Sequence, residues 1–193
     1  ERPIAPDFSA GRQEGAPFLS ERKGEKTMME NAKERTLAAL DAAGIRYDKL
    51  EHPVVCTMEE MDAAGITARG NVCKNLFVRD QKGKNHFLIV ALEEKKVDLT
   101  DVADQIGSSR LSFASPERLE KYLGVSQGSV SPLGILNDEE HEVIVVFDQD
   151  LRTRKEIGIH PNENTATIWL SFRDLRRFIE NQGNEVDFVK LPK

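Results

Sequence analysis

The sequence has few cysteines, no long apolar run and no excess of positive charge, and each shortage excludes a class of protein. Cys56 and Cys73 do not form a CxxC pair, and with only four histidines they make neither a disulfide framework nor a structural zinc site. No apolar run approaches the roughly 18 residues that cross a bilayer, and no signal-peptide pattern is evident. These absences predict a cytoplasmic protein with no metal site and no membrane partner.

Nucleotide-binding motifs are missing as well. Neither GxGxxG nor GxxxxGK[ST] follows a predicted strand, so the sequence predicts no dinucleotide or ATP cofactor. The net charge is −6, and a nucleic-acid partner would therefore need a local basic patch. Two clusters could provide such a patch, although a solvated face is the commoner role of such residues: Arg152, Arg154 and Lys155, and Arg173, Arg176 and Arg177.

The length suits one domain that follows a short leader. The chain has 193 residues, of which 39% are hydrophobic, enough for a core of its own. Residues 1–27 carry scattered prolines, glycines and charges without periodicity, which predicts a flexible leader. Met28 and Met29 resemble a natural start, so an expression vector could have supplied part of it. We expect the folded domain over residues 28–193.

Helical and strand patterns alternate through that domain. Capping and apolar patterns predict helices that begin near Glu30, Thr57, Asp98, Ser115 and Ser171. Strands are predicted over residues 45–50, 73–79, 86–92, 111–113, 143–147, 157–159, 165–170 and 186–191. Residues 143–147 are continuously apolar, which indicates a central strand. Hairpins together with crossovers predict a mixed sheet in an α/β (α+β) domain.

The most unusual stretch covers residues 128–138, where two glycines, two serines and a proline interrupt an apolar run. Small residues between Gly128 and Pro132 leave successive backbone N–H groups uncovered, which suits the close approach of a ligand oxygen. A buried connection between two elements would explain the same composition. This stretch alone does not decide between the two interpretations.

Two side chains could complete a site with this stretch. On the predicted strand 73–79, Lys74 shares a face with apolar residues, and a charge there needs a partner, a ligand or a path to solvent. His160 lies beside Gly158, Asn162 and Thr165, which can form a hydrogen-bonding rim, although a structural histidine is the simpler interpretation. A nucleophilic Cys73 is disfavoured, because strand alternation turns it away from Lys74.

Five segments in this order resemble the YbaK/ProX family, which contains free-standing relatives of the editing domain inserted in bacterial prolyl-tRNA synthetases. The segments are residues 72–77, 111–115, 123–125, 128–138 and 160–167. The resemblance covers roughly residues 30–191 and is closest to the ProX or PrdX-like branch, whose members remove alanine from proline tRNA. It implies a mixed, barrel-like sheet surrounded by helices, and hydrolysis of the ester of a mischarged tRNA.

The resemblance also implies roles for the residues at the matching positions. It places catalysis on Lys74 and on a loop formed by Gly128, Ser129, Val130, Ser131 and Pro132. It places substrate binding on Asn75, Gly134, Gly158, His160, Asn162 and Thr165. Water is the nucleophile, no cofactor is implied, and the sequence offers no convincing general base.

The expected partner is mischarged proline tRNA, with prolyl-tRNA synthetase or an elongation factor as further candidates. Alanine is favoured by resemblance alone, because one methylene discriminates by only about 1–3 kcal/mol, and serine and cysteine esters stay open. A function of another class also stays open. This would be a catalytically silent module that binds aminoacyl-tRNA or a free amino acid.

Overall fold

The computed structural model describes residues 32–192, so the predicted leader and Met28 lie outside the described part of the chain. The first helix, α1, covers residues 32–42. The other helices are α2 (Met58–Ala63), α3 (Ile66–Arg69), α4 (Leu99–Gln105), α5 (Pro116–Leu123) and α6 (Phe172–Gln182). The strands are β1 (Tyr47–Glu51), β2 (Cys73–Arg79), β3 (His86–Leu92), β4 (Ser112–Phe113), β5 (Val143–Asp148), β6 (Ile157–Ile159), β7 (Ala166–Leu170) and β8 (Val186–Val189). Two 3₁₀ segments cover Pro132–Asn137 and Gln149–Thr153.

These strands form two sheets. The larger sheet has the order β4-β2-β3-β5-β8, in which β2 and β3 are antiparallel and β5 runs parallel to both β3 and β8. The smaller sheet is antiparallel, with the order β1-β7-β6. The mixed α/β fold is confirmed, but the barrel-like closure is wrong. The larger sheet ends at β4 and β8, and a single isolated bridge between Val72 and Gly158 links the region of β2 to β6.

The hairpin β2–β3 begins and ends at the predicted residues. Its turn is organised by Asp80, whose backbone N–H donates to Asn85 O at 3.0 Å. The Asp80 carboxylate accepts from Lys84 N at 2.9 Å and from Asn85 Nδ2 at 3.0 Å. A buried carboxylate therefore satisfies the turn, which holds the register of the two strands.

Capping residues set the predicted starts of most helices. Thr57 forms a capping box with Glu60 at the start of α2, and the Asp98 and Ser171 side chains accept backbone hydrogen bonds at the starts of α4 and α6. The helix that begins at Thr57 was predicted to end near Gly65, and α2 ends at Ala63. Gly65 has a φ of +75°, and this left-handed residue separates α2 from α3.

The larger sheet separates two apolar clusters. Leu88 and Val90 face a cluster built with α1, α5, α6 and the smaller sheet, whereas Ile89 and Ala91 face a cluster under α4. β3 is buried along its whole length, and β5 is almost entirely buried, as continuous apolar runs predict. Within residues 32–192, no helix is long and apolar enough to cross a membrane.

Candidate functional site

The loop between α5 and the first 3₁₀ segment presents backbone donors that have no partner among residues 32–192. Gly128 has a φ of +91°, and a Cβ at this position would meet nothing within 4 Å, so the loop is open on this side. Ser129 N donates to Ser126 O at 3.1 Å. The N–H groups of Gly128, Val130 and Ser131 make no such bond with another described residue. These N–H groups are therefore available to donate to a ligand.

Side chains hold this loop against its two neighbours. Asn75 Nδ2, on β2, donates to Val130 O at 3.0 Å. Ser131 Oγ donates to His160 O at 2.5 Å and accepts from Leu133 N at 3.2 Å, which caps the 3₁₀ segment. The bond from Asn75 to Val130 O fixes the loop relative to β2. The bond from Ser131 Oγ to His160 O fixes it relative to the segment that follows β6.

The segment after β6 is held by asparagine amides. Asn162, at a φ of +61°, donates from Nδ2 to Thr36 Oγ1 on α1 at 2.8 Å and to Leu133 O at 3.1 Å. Asn164 Nδ2 donates to Val55 O at 2.7 Å. Asparagine tolerates the left-handed region better than most residues, which accounts for the residue type at position 162. Asn162 therefore connects α1, the 3₁₀ segment and the candidate site.

The imidazole of His160 has a defined tautomer. Its Nδ1 lies 3.2 Å from Ala166 O. Because a carbonyl oxygen can only accept, Nδ1 carries the hydrogen and Nε2 holds a lone pair. Burial lowers the pKa of His160, and the charge of the nearby His52 lowers it further, whereas the hydrogen bond that Nδ1 donates to Ala166 O raises it. The ring is therefore neutral at pH 7.

His52 lies beside this ring and was not among the residues that the resemblance implies. The two ring centroids are 6.4 Å apart. Both nitrogens of His52 are engaged, since Nδ1 lies 2.7 Å from Pro53 O and Nε2 lies 2.9 Å from Thr167 Oγ1. His52 thus holds the chain after β1 against β7. Its position directly before a proline at a strand end was the only sequence signal for it.

The structure places Lys74 on the face of β2 that points away from the 128–132 loop. Lys74 shares that face with Leu76 and Val78, as the alternation predicted, and these two residues join the cluster under α4. Its Nζ donates to Glu93 O at 2.8 Å. Asn75, which contacts the loop, projects from the opposite face. The catalytic role of Lys74 stays a prediction.

Packing accounts for two of the predicted glycines, and Pro132 begins the buried 3₁₀ segment. A Cβ at Gly134 would lie 3.0 Å from Leu123 Cβ, and a Cβ at Gly158 would lie 2.8 Å from Trp169 Nε1. Both positions therefore need glycine so that neighbouring elements can approach. Their substrate-binding roles stay predictions.

Thr165 lies at the far end of the same segment, in a polar cluster. Its hydroxyl donates to Glu163 Oε1 and accepts from Lys33 Nζ at 3.4 Å. Lys33 also pairs with Glu51 at 3.0 Å, which connects α1 to β1. These contacts hold the segment in place, and a substrate contact by Thr165 stays a prediction.

Cysteine and metal chemistry find no support in the described residues. Cys73 is buried, and burial raises the pKa of its thiol far above the usual range, so that the thiolate is disfavoured. Across residues 32–192, no group of three or more His, Cys, Asp or Glu side chains is arranged to hold a metal ion.

One arginine from each basic cluster lies over the ring of Phe188. The Arg152 guanidinium lies 3.6 Å from the Phe188 ring centroid, and that of Arg176 lies 5.4 Å from it. Arg176 also pairs with Glu180 at 2.8 Å. We call Arg152, Arg176 and Phe188 the arginine surface. No sequence spacing indicates it, because β8 brings the aromatic ring between clusters that are far apart in the chain.

Comparison with known proteins finds close relatives along most of the chain. Residues 52–178 match the family model of the aminoacyl-tRNA editing domain. The chain is 46% identical over 161 residues to the prolyl-tRNA editing protein ProX of Acetoanaerobium sticklandii, with 83% of this chain and 98% of that protein covered. It is 36% identical over 165 residues to prolyl-tRNA synthetase associated domain-containing protein 1 of Bos taurus, with 84% and 95% covered.

A solved structure supports the fold. It is described as a candidate trans-editing enzyme for prolyl tRNA synthetase, and it superposes with a TM-score of 0.64 at 22% identity, with 84% of this chain and 97% of that chain covered. Residues 52–178, which match the family model, contain the three elements of the candidate site: β2, the 128–132 loop and the segment after β6. The chain belongs to the aminoacyl-tRNA editing domain family.

Proposed function

We propose that the protein is a trans-editing deacylase that hydrolyses the ester of mischarged proline tRNA, with Ala-tRNA(Pro) as its substrate. The observation that carries this proposal is the 128–132 loop, whose three unengaged N–H groups are fixed beside Asn75 and His160. Such donors are what an ester hydrolase needs. The 46% identity to a prolyl-tRNA editing protein supports the substrate class.

The loop would bind the oxyanion of the reaction. As water attacks the ester carbonyl, negative charge develops on its oxygen, and preorganised N–H groups stabilise that charge. The donors of Gly128, Val130 and Ser131 are held by bonds to Val130 O and from Ser131 Oγ, so they need no rearrangement. The open side of Gly128 leaves room for the ester to approach.

The remaining predicted residues would shape and hold the substrate. Asn75, His160 and Asn162 border the loop and would limit the size of the amino acid. Lys74 projects from the face of β2 opposite to Asn75 and the loop, so it would hold a phosphate of the terminal adenosine and not the ester itself, through charge-assisted hydrogen bonds for which its Nζ must leave Glu93 O. Proline would be excluded by size.

The arginine surface would hold the acceptor end of the tRNA. It brings together one arginine from each basic cluster of an otherwise acidic chain. Transient association with prolyl-tRNA synthetase or an elongation factor would follow from a substrate that both of those proteins handle, and a cytoplasmic location would follow from the same substrate.

A deacylation assay on proline tRNA charged with alanine, serine, cysteine or proline tests the function. We expect release of alanine and retention of proline. Hydrolysis of none of the four esters would reject the deacylase and favour a silent module that binds aminoacyl-tRNA.

Lys74→Ala tests the lysine in the same assay. We expect it to abolish alanine release, with Lys96→Ala, which removes an exposed lysine, as the control. Undiminished turnover by a folded Lys74→Ala variant would reject the role of Lys74 and leave the function standing.

A further inference from the structure

Phe113 is the most exposed large apolar side chain among residues 32–192, with 64% of its surface accessible. It lies on β4, an edge strand of the larger sheet. Its partner across the strand pair, Val78, is completely buried. A single exposed apolar residue is ordinary on a protein surface, so the surroundings of Phe113 decide whether it has a role.

Phe113 shares a face of the larger sheet with Lys74. Residues directly opposite each other in antiparallel strands project to the same side, so Phe113 lies on the face of Val78. Strand alternation places Lys74 on that face as well. Lys74 and Val78 are separated along β2 by roughly 13 Å, at about 3.3 Å per residue. A single strand of RNA whose phosphate binds Lys74 can therefore run along this sheet edge to Phe113.

The chain segments beside Phe113 carry mainly positive charge. The turn between β2 and β3 is joined to the segment before β4 by a hydrogen bond from Gln81 N to Ser109 Oγ at 3.2 Å. Residues 79–86 and 108–113 contain four cations and one acid, which are Arg79, Lys82, Lys84, Arg110 and the buried Asp80. The Asp80 carboxylate accepts from Lys84 N and Asn85 Nδ2 within its own turn. These two segments are therefore basic in a chain whose net charge is −6.

An exposed aromatic ring with cations beside it suits single-stranded RNA. Unpaired bases stack on aromatic side chains, while Lys and Arg contact the phosphates. The aminoacyl ester of a charged tRNA is at a single-stranded end, whereas the bases of the paired stem are already stacked on one another. The chemistry of Phe113 and its surroundings therefore matches the end of the tRNA that carries the ester.

We propose that Phe113 stacks with an unpaired base of the tRNA 3′ end, beside the terminal adenosine, a contact that rests on the proposed deacylase function. The four neighbouring cations contact the phosphates on either side of that base. The arginine surface includes Phe188 on β8, which is the opposite edge of the same sheet. It therefore contacts a different part of the tRNA, and the two surfaces contribute to affinity separately.

The test is the binding of a short, uncharged single-stranded RNA that has the sequence of the 3′ end of proline tRNA. We expect Phe113→Ala to raise the Kd about 5- to 100-fold, as the loss of one stacked base does. Phe113→Leu keeps an apolar side chain without an aromatic ring and should bind nearly as weakly. Charge reversal of Arg152 and Arg176 together is the control, and it should change the Kd of this short RNA by much less.

Phe113→Trp gives a direct readout of stacking. The variant should bind the RNA at least as tightly as the parent, because the indole ring also stacks on bases. It adds a second tryptophan to a chain whose native Trp169 is buried. We expect the emission of the new tryptophan to be quenched as the RNA binds. In the deacylation assay, Phe113→Ala should raise KM with little change in kcat, because a stacked base distant from the ester is held equally in the ground state and the transition state.

Other outcomes would overturn the assignment. A Kd for Phe113→Ala or Phe113→Leu within about twofold of the parent would do so, as would unchanged emission of Phe113→Trp at saturating RNA. Light scattering that finds a dimeric parent and a monomeric Phe113→Ala variant would assign the side chain to a contact between two copies of the chain. RNA binding needs no ester, so it judges Phe113 separately, whereas a parent that hydrolyses no ester rejects the deacylase itself.

Discussion

Lys95 is a buried cation whose partners come from distant parts of the chain. Its Nζ donates to Asp150 Oδ2 and, at 3.1 Å, to Leu191 O, and it lies 3.7 Å from Asp148 Oδ2. Asp148 is fully buried. The hydrogen bond to Asp150 raises the pKa of Lys95, with burial opposing it and the charge of Asp148 adding to it. Lys95 thus ties the turn after β3 to the end of β5 and to the last described residues.

Replacing Lys95 by Ala should destabilise the protein by about 3–5 kcal/mol, because Asp148 would keep a buried charge without its cation. Urea denaturation at pH 7 measures this difference. Lys96→Ala removes the same charge from an exposed neighbour and should change the free energy of unfolding by less than about 0.5 kcal/mol. Equal effects of the two substitutions would contradict this role of Lys95.

The sequence pattern predicts the structural roles of some single residues and not of others. Asp98 and Ser171 are predictable as caps, because a cap depends on residues within one turn of itself. The residues around Lys95 are those of a solvated turn. Its partners lie 55 and 96 positions away in the chain, so the local sequence does not indicate them. Local spacing carries no information about such pairs. The tautomer of His160 was missed for a different reason: its carbonyl partner, Ala166 O, is only six positions away, but spacing does not show that the chain folds back to bring the two together.

At the scale of elements, Gly134 determines how closely the 3₁₀ segment packs against α5. A Cβ there would lie 3.0 Å from Leu123 Cβ and 3.2 Å from Leu123 O. Gly134→Ala should therefore destabilise by about 1–3 kcal/mol through overpacking. Thermal or urea unfolding measures the change, and Ser126→Ala in the neighbouring exposed loop should be nearly neutral. A neutral Gly134→Ala variant that has lost activity would instead support a direct role in the substrate site.

Elements were predicted best where one physical signal dominates. β2 and β3 are long, apolar and bounded by a polar turn, and both ends match the prediction. The prediction of one helix after Thr57 was incomplete, because a left-handed Gly65 can either end a helix or separate two. The barrel-like closure came from resemblance and is wrong. Strand periodicity fixes which residues share a face, but it does not determine whether the edges of two sheets meet.

At the scale of the whole molecule, the buried His86 and the half-buried His160 make stability depend on pH. His86 Nε2 lies 2.6 Å from Arg118 Nη1, and because a guanidinium only donates, His86 is neutral. Its ring centroid lies 4.1 Å from that of Tyr122. Burial lowers the pKa of His86, and the charge of Arg118 lowers it further. The pKa of His160 is also lowered, so both groups titrate at lower pH in the folded protein than in the unfolded chain.

The sign of the effect follows from these directions. The unfolded chain binds the extra protons first, so this part of the stability is complete above about pH 6.5 and is lost as the pH falls below it. Each group contributes a slope of at most about 1.4 kcal/mol per pH unit. Urea midpoints measured between about pH 7.5 and 5.5 should fall accordingly. His141→Asn, at an exposed site, should show the same fall as the parent.

The arginine surface should govern tRNA affinity through charge. Reversing Arg152 and Arg176 together should weaken binding and reduce its salt dependence, because fewer counterions would be released on association. Filter binding with uncharged proline tRNA at several salt concentrations measures both quantities. Arg46→Glu together with Lys96→Glu reverses two exposed cations elsewhere and tests the same change in net charge. A similar loss of tRNA affinity in the arginine-surface variant and in the control variant would exclude a specific role for the arginine surface.

Within the described residues, an isolated bridge between Val72 and Gly158 joins the strand regions of the two sheets, and we expect the smaller sheet to open more readily than the larger one. Asn75 belongs to the larger sheet, while His160 and Asn162 follow a strand of the smaller one, so a ligand in the candidate site contacts both units. Binding should then slow amide hydrogen exchange in β6 and β7 more than in the fully buried β3. The smaller sheet would become the part of the molecule whose exchange rates report occupancy of the site.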